Sequence, residues 1–206
     1  MNKQNRFLPT TKDEMKQRGW DELDVVLITG DAYIDSPFMG IAVVGRILED
    51  IGLRVGIIGQ PDINSDVDIK RLGEPKLFWG VSGGSIDSMV SNYTATKKFR
   101  NDDDYTPGGK NNKRPDRATL VYTNLIRRYF KNTAPIVLGG IEASLRRLTH
   151  YDYWSNTLRK PILFDSKADY MIYGMGEQAI IDLGLYLKEG KDVRTIEDYV
   201  ISQKSL

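Results

Sequence analysis

The chain has 206 residues, 40% of them apolar and 28% charged, with a net charge of +1. That supports one medium α/β domain with extensions and excludes both global disorder and an overall polyanion-binding charge. With no cysteine and one histidine, the chain itself offers no disulfide, no thiol nucleophile and no thiolate ligands for zinc or an iron–sulfur cluster, and no metal site is expected on it.

Residues 1–23 read as a polar N-terminal arm anchored by Phe7-Leu8-Pro9 and Trp20, followed by the domain body over 24–190. The first strand, at about 24–29, is a continuous apolar run ending at Gly30. Such runs, rich in Val and Ile and separated by helical patterns, are buried parallel strands. Asp31 and Tyr33 follow. Asp35 or Ser36 is placed to cap a helix with Pro37 in its first turn, and Asp31 and Asp87 are further capping candidates. Ile41, Val44, Ile47, Leu48 and Ile51 then recur at helical spacing until Gly52. Arg54–Ile58 is the second strand, and 62–72 is a short helix or a loop. The third strand, at about 77–81, runs into Ser82-Gly83-Gly84, and a helix begins near Ile86.

The interval 92–117 shows no sustained apolar period. Loops of that length inside a compact domain are functional or disordered. Lys97, Lys98, Arg100, Lys110, Lys113, Arg114 and Arg117 face Asp102, Asp103, Asp104 and Asp116, with Tyr93, Phe99 and Tyr105 between them. A mixed-charge, solvated loop is the first reading. Basic residues among aromatics make RNA or protein binding the alternative, and a clamp against another domain is a third. Pro107-Gly108-Gly109-Lys110 matches a phosphate loop only in part. Asp104 stands where the first glycine belongs and Asn111 where a Ser or Thr would hold Mg²⁺, so a turn is the better account.

Helical spacing resumes over 118–130, and Pro135 opens the fourth strand. Its exit, Gly139-Gly140, leads into a helix bearing Glu142. His150-Tyr151-Asp152-Tyr153-Trp154 follows. His150 is a candidate general base, but without a partner constellation it reads as a packed structural residue. Lys160–Phe164 reads as a small extra strand. The fifth main strand is at about 169–173, and Gly174-Met175-Gly176-Glu177 opens a helix to about Lys188. Gly174–Ala179 fits the loose dinucleotide pattern. It lies at the last strand, with no later strand to carry the acid, so a tight turn into a helix is preferred. The charged tail, 191–206, reads as the start of a linker.

This order of elements predicts a doubly wound, mostly parallel, flavodoxin-like sheet of five strands in the order 2-1-3-4-5. The strand exits then share one edge, where α/β sheets bind ligands. The candidate ligand-binding residues are Gly30, Asp31, Tyr33, Ser82, Gly83, Gly84, Gly139, Gly140, Glu142, Gly174, Gly176 and Glu177. A second tier comprises Tyr105, Gly108, Gly109, Lys110, His150, Tyr151 and Asp152. No signal peptide and no bilayer-spanning run is visible, so a soluble, cytoplasmic protein with no membrane partner is expected.

Long blocks of the chain carry a resemblance. Thr29-Gly-Asp-Ala-Tyr-Ile-Asp35, Tyr105-Thr-Pro-Gly-Gly-Lys110, Ile136-Val-Leu-Gly-Gly-Ile-Glu-Ala-Ser-Leu-Arg-Arg147, His150-Tyr-Asp-Tyr-Trp154 and Tyr173-Gly-Met-Gly-Glu177 resemble the YgiQ family of radical SAM proteins. The resemblance implies an N-terminal region of cobalamin-binding-like fold that shapes a substrate cleft, for a substrate it does not name. It also implies a C-terminal radical SAM domain as partner in the same polypeptide, with a Cys-x-x-x-Cys-x-x-Cys motif holding a [4Fe-4S] cluster and S-adenosylmethionine. The cysteine motif is absent here, so the chain reads as a segment ending before it and not catalytic alone. Related cobalamin-binding domains supply a cobalt ligand from Asp-x-His-x-x-Gly. Here Tyr33 stands at the histidine position, so histidine-ligated cobalamin is not expected.

Overall fold

A computed structural model describes residues 7–191 and 200–202. Its frame is five parallel strands: β1 (Val25–Thr29), β2 (Val55–Gly59), β3 (Phe78–Ser82), β4 (Ile136–Gly139) and β7 (Tyr170–Ile172). They lie in the order β2-β1-β3-β4-β7, and β8 (Val200–Ser202) pairs antiparallel with β7 at the edge. The expected order therefore holds for the parallel strands. β8 is an addition that the charged tail did not announce.

Alternate residues of β1 divide between two apolar layers, as a pleated strand requires. Val26 and Ile28 pack with Trp79, Tyr122, Leu125 and Ile126 on one face; Val25 and Leu27 pack with Leu48, Ile57, Phe78 and Leu183 on the other. The first layer is covered by α5 (Ala118–Tyr129), with α1 (Lys12–Gln17), α3 (Val67–Lys70), α6 (Gly140–Leu145) and α7 (Ile162–Ser166) contributing buried side chains. The second is covered by α2 (Gly40–Asp50) and α8 (Glu177–Lys188). Leu8 is fully buried in that layer, and the backbone N–H of Ile57 donates to Pro9 O at 2.9 Å. Leu8 and Pro9, ahead of α1, thus lie beside β2.

The register aligns the strand exits. Thr29 pairs with Gly59 and with Ser82, and Ser82 pairs with Gly139.

Three expectations need correction. Neither Asp35 nor Ser36 caps α2. The helix begins at Gly40 behind Met39, which makes no side-chain cap bond. Pro37 lies in a preceding turn closed by the Met39 N–H on Ser36 O, and Asp35 is drawn instead to the guanidinium of Arg46, a charge-assisted bond stronger than a neutral cap. Lys160–Phe164 is not a strand. Ile162 and Leu163 belong to α7 and are buried, because an apolar run this short fits either period. The short strand is β6 (Thr157–Arg159), antiparallel to β5 (His150–Asp152). The third concerns 92–117, which is not wholly solvated. Asp103, Thr106, Asn111 and Arg114 are buried.

Candidate ligand-binding cleft

The exits of β1, β3, β4 and β7 and the starts of α2 and α8 surround a cleft of about 430 Å³. Ile41, Val44, Leu138, Ile172 and Ile180 supply apolar walls. Thr29, Asp31, Ser82 and Ser85 supply a polar end. Met39 and Gly176, the N-cap residues of α2 and α8, make no side-chain cap bond, so the first N–H groups of both helices lack side-chain acceptors.

Eight of the twelve first-tier residues line this cleft: Asp31, Ser82, Gly84, Gly139, Gly140, Gly174, Gly176 and Glu177. The other four lie behind the rim. A Cβ on Gly30 would collide with the carbonyl of Gly83, and one on Gly83 would lie 2.5 Å from Glu142 Oε2. Glu142 is buried, with Oε2 accepting from the Ser88 N–H at 2.9 Å and Oε1 from the Thr119 N–H at 3.0 Å. It therefore ties together the first turns of α4 (Ser88–Asn92) and α5. Tyr33 turns toward the N-terminal segment, where its hydroxyl accepts from the Leu8 N–H at 3.2 Å. Burial pushes its phenol up to about 12.

The glycines divide by what a side chain would meet. Gly84 sits at φ +113°, and a Cβ there would overlap Asp31 and Arg114, so the chain's own packing requires it. Gly40 and Gly139 are different. A Cβ at either has nothing within 4 Å, and Gly139 has an extended backbone, φ −153°. Neither backbone conformation nor internal packing demands glycine at Gly139. Both residues line the cleft.

Asp31 does not cap a helix. Its Oδ2 accepts from the Ser85 N–H at 2.6 Å, and its Oδ1 lies 2.8 Å from Arg114 Nη2. Arg114 also meets Asp103 at 3.3 Å and donates to Gly83 O at 2.8 Å. Around this centre the Ala32 N–H donates to Tyr105 O, and Gln60 Nε2 donates to Gly30 O and Thr106 Oγ1. The interval 92–117 is thereby clamped over the exits of β1 and β2. Sequence reasoning placed Arg114 among solvated charges. With Lys113 before it and Arg117 three residues on, it reads as one more surface charge.

The second-tier residues are not brought to the cleft. Gly108 and Gly109 form a turn at positive φ, and the backbones of Lys110 and Asp102 pair in an isolated antiparallel bridge at the surface. Asp87 is the side-chain cap of α4, as expected. His150 and Tyr151 lie on the β5–β6 hairpin, where His150 Nδ1 is 3.0 Å from Leu148 O. Asp152 is held by Arg117 at 2.6 Å and by Ser155 Oγ. Burial raises its carboxyl, but these partners outweigh it and hold the group at about 2.

Among the described residues, no group of three or more His, Cys, Asp or Glu is arranged to hold a metal ion. Nor does an imidazole line the cleft. With Tyr33 turned toward Leu8, the cleft offers a corrinoid no histidine ligand from this chain. No described helix is long and apolar enough to cross a membrane.

Comparison with known proteins agrees with this architecture. The family model described as radical SAM N-terminal matches residues 7–204. A UPF0313 protein of Fusobacterium nucleatum is 59% identical over 98% of this chain, which spans 36% of that protein. The UPF0313 protein YgiQ of Salmonella typhimurium is 54% identical over 93% of the chain, which spans 26% of it. The fold is similar to that of TsrM, a radical S-adenosylmethionine methyltransferase of Kitasatospora setae solved with cobalamin and a [4Fe-4S] cluster bound. The TM-score is 0.56 at 20% identity, over 87% of this chain and 27% of that one. A second TsrM structure, with tryptophan substrate and a SAM analogue bound, gives 0.56 at 19% identity, over 87% of this chain and 28% of that one. The chain belongs to the radical SAM N-terminal family.

Proposed function

We propose that this chain forms one wall of the substrate site of a radical SAM enzyme, with the glycine-edged cleft facing the part of the polypeptide that carries the chemistry. The observation that carries this reading is the open space beside Gly40 and Gly139, where an added Cβ would find nothing within 4 Å. A glycine without internal need, at the carboxyl rim of a parallel sheet, leaves room for something that comes from outside. The apolar walls suit an apolar body, and the hydroxyls and helix-start N–H groups suit acceptor groups on it.

In this reading the [4Fe-4S] cluster and S-adenosylmethionine belong to the rest of the polypeptide, since the chain has no cysteine. The cluster would supply the electron that cleaves S-adenosylmethionine. This chain would bind and orient the substrate and exclude water. A corrinoid in the same cleft would have to be bound without an imidazole from this chain.

The test uses a longer polypeptide in which this chain replaces the matching region of the Fusobacterium relative. S-adenosylmethionine cleavage is measured with and without the small-molecule fraction of a cell extract. Gly139→Leu is expected to abolish stimulation by the extract while basal cleavage and melting temperature stay unchanged. Full stimulation in that variant would overturn the reading. Binding of RNA through 92–117 is the competing account. It predicts an affinity that falls steeply with salt, as phosphate contacts require.

A further inference from the structure

We propose that the outward face of α6, together with the mouth of the cleft, is the docking surface for the remaining two-thirds of the polypeptide found in the longer relatives. This rests on the reading of the cleft as one wall of a shared site.

The three long helices turn apolar residues inward. α2 buries Ala42 and Leu48, α5 buries Tyr122, Leu125 and Ile126, and α8 buries Ile180 and Leu183. α6 behaves differently. It buries Glu142 and Ala143 and leaves Ile141 43% exposed and Leu145 61% exposed, with Leu148 just beyond the helix at 58%. Ile141 and Leu145 stand at i and i+4 on one face of the helix, and Leu148 follows in the turn that leaves it. Ser144 Oγ accepts from the Gly174 N–H at 3.2 Å, which joins this stripe to the turn carrying Met175, 87% exposed. Phe38, 92% exposed, faces the same cleft. Scattered exposed apolar residues need no explanation, but a contiguous group marks an interface.

The occupant follows from length and size. The chain matches the Fusobacterium relative over 98% of its own length and still spans only 36% of that protein. Most of that polypeptide therefore lies outside the matched region and is covalently tethered to it. A tethered domain meets this surface at a high effective concentration, so a small patch suffices. A stable association between separate copies needs roughly 800 Å² and 20–30 residues on each side, well beyond a patch of five side chains. The stripe also runs into the cleft mouth, where the chemistry-bearing part has to lie if the cleft is to serve it.

The absence of cysteine gives a clean probe. Leu145→Cys and Leu148→Cys are alkylated in the 206-residue chain and in the longer polypeptide built on the Fusobacterium relative, and rates are read peptide by peptide. Val67→Cys, on α3 where Val67 is 71% exposed, is the control. Both test sites are expected to react at least tenfold slower in the longer protein, with the control unchanged. Equal rates at the test sites would overturn the proposal. Slow reaction in the short chain, with a solution mass of two copies, would overturn it in favour of self-association. Leu145→Lys provides a second readout. It is expected to leave melting of the short chain unchanged and to speed proteolytic release of this region from the longer protein at least tenfold; unchanged release would contradict docking. Gly139→Leu is read by stimulation with the extract, whereas Leu145 and Leu148 do not line the cleft and are read by alkylation and proteolytic release, so failure of the cleft reading and failure of the docking surface give different results.

Discussion

Arg114 Nη2 lies 2.8 Å from Asp31 Oδ1, and neither side chain is more than 2% exposed. One residue belongs to a 26-residue irregular interval, 92–117, and the other to the exit of β1. The pair, joined by Asp103, converts what reads as a surface loop into part of the rim. A charge this deep is tolerated only when its partners are in place.

Replacing Arg114 by Ala leaves two buried carboxylates, Asp31 and Asp103, without their guanidinium. Breaking a buried pair in this way costs about 3–5 kcal/mol. Urea denaturation of Arg114→Ala is expected to show that loss, and limited proteolysis to cut first within 92–117. A change below about 1 kcal/mol would mean that the clamp contributes no more than a surface pair.

Gly84 and Gly139 separate internal need from external need. Gly84→Ala forces a side chain into Asp31 and Arg114 at φ +113°. Its expected cost is at least about 2 kcal/mol from overpacking and backbone strain together. Gly139→Ala meets no atom within 4 Å, and its stability is expected to stay within about 0.5–1 kcal/mol of the parent, in either direction. Thermal melts of the two variants side by side check the contrast.

Glu142 tests whether a rim acid serves the fold. Glu142→Ala removes the acceptor for the Ser88 and Thr119 N–H groups. Leaving a buried donor unmatched costs about 1–3 kcal/mol, and two are exposed to that penalty here. Glu142→Gln keeps one carbonyl oxygen and is expected to recover part of the loss. Equal stability of all three proteins would show that Glu142 is not needed to join α4 and α5.

Asp152 gives the pH dependence. Its carboxyl is depressed from 3.8 to about 2 in the folded chain, so the folded state binds its proton less readily than the unfolded state. The resulting stability is fully present above pH 4 and is lost as pH falls toward 2, and it amounts to about 2 kcal/mol. Asp152→Asn is expected to destabilise the chain at pH 7 and to flatten its stability profile between pH 4 and 2. A variant whose acid limb matches the parent would assign that limb to other carboxylates.

The sheet was legible because five apolar runs are continuous and each reaches a glycine, a pattern that two-sided burial imposes on parallel strands. The rim followed from that, and with it Ser82, Gly139 and Gly174. Less legible were features set by distant partners. Nothing in the local sequence distinguishes Arg114 from Lys113, although one is buried and the other exposed. Asp35 sits at an acceptable capping position, yet Arg46 takes it eleven residues later. Glu142 reads as a site acid and serves two helix starts instead. β8 required a pairing partner that its own three residues do not specify.

The central claim is that the glycine-edged cleft receives the substrate. Hydrogen exchange of the longer polypeptide, with and without the small-molecule fraction that stimulates cleavage, tests it directly. The account predicts slowed exchange in segments containing Gly40, Ser85, Gly139 and Gly176, with residues 93–112 unaffected. Slowing confined to 93–112, with those four segments unchanged, would contradict it.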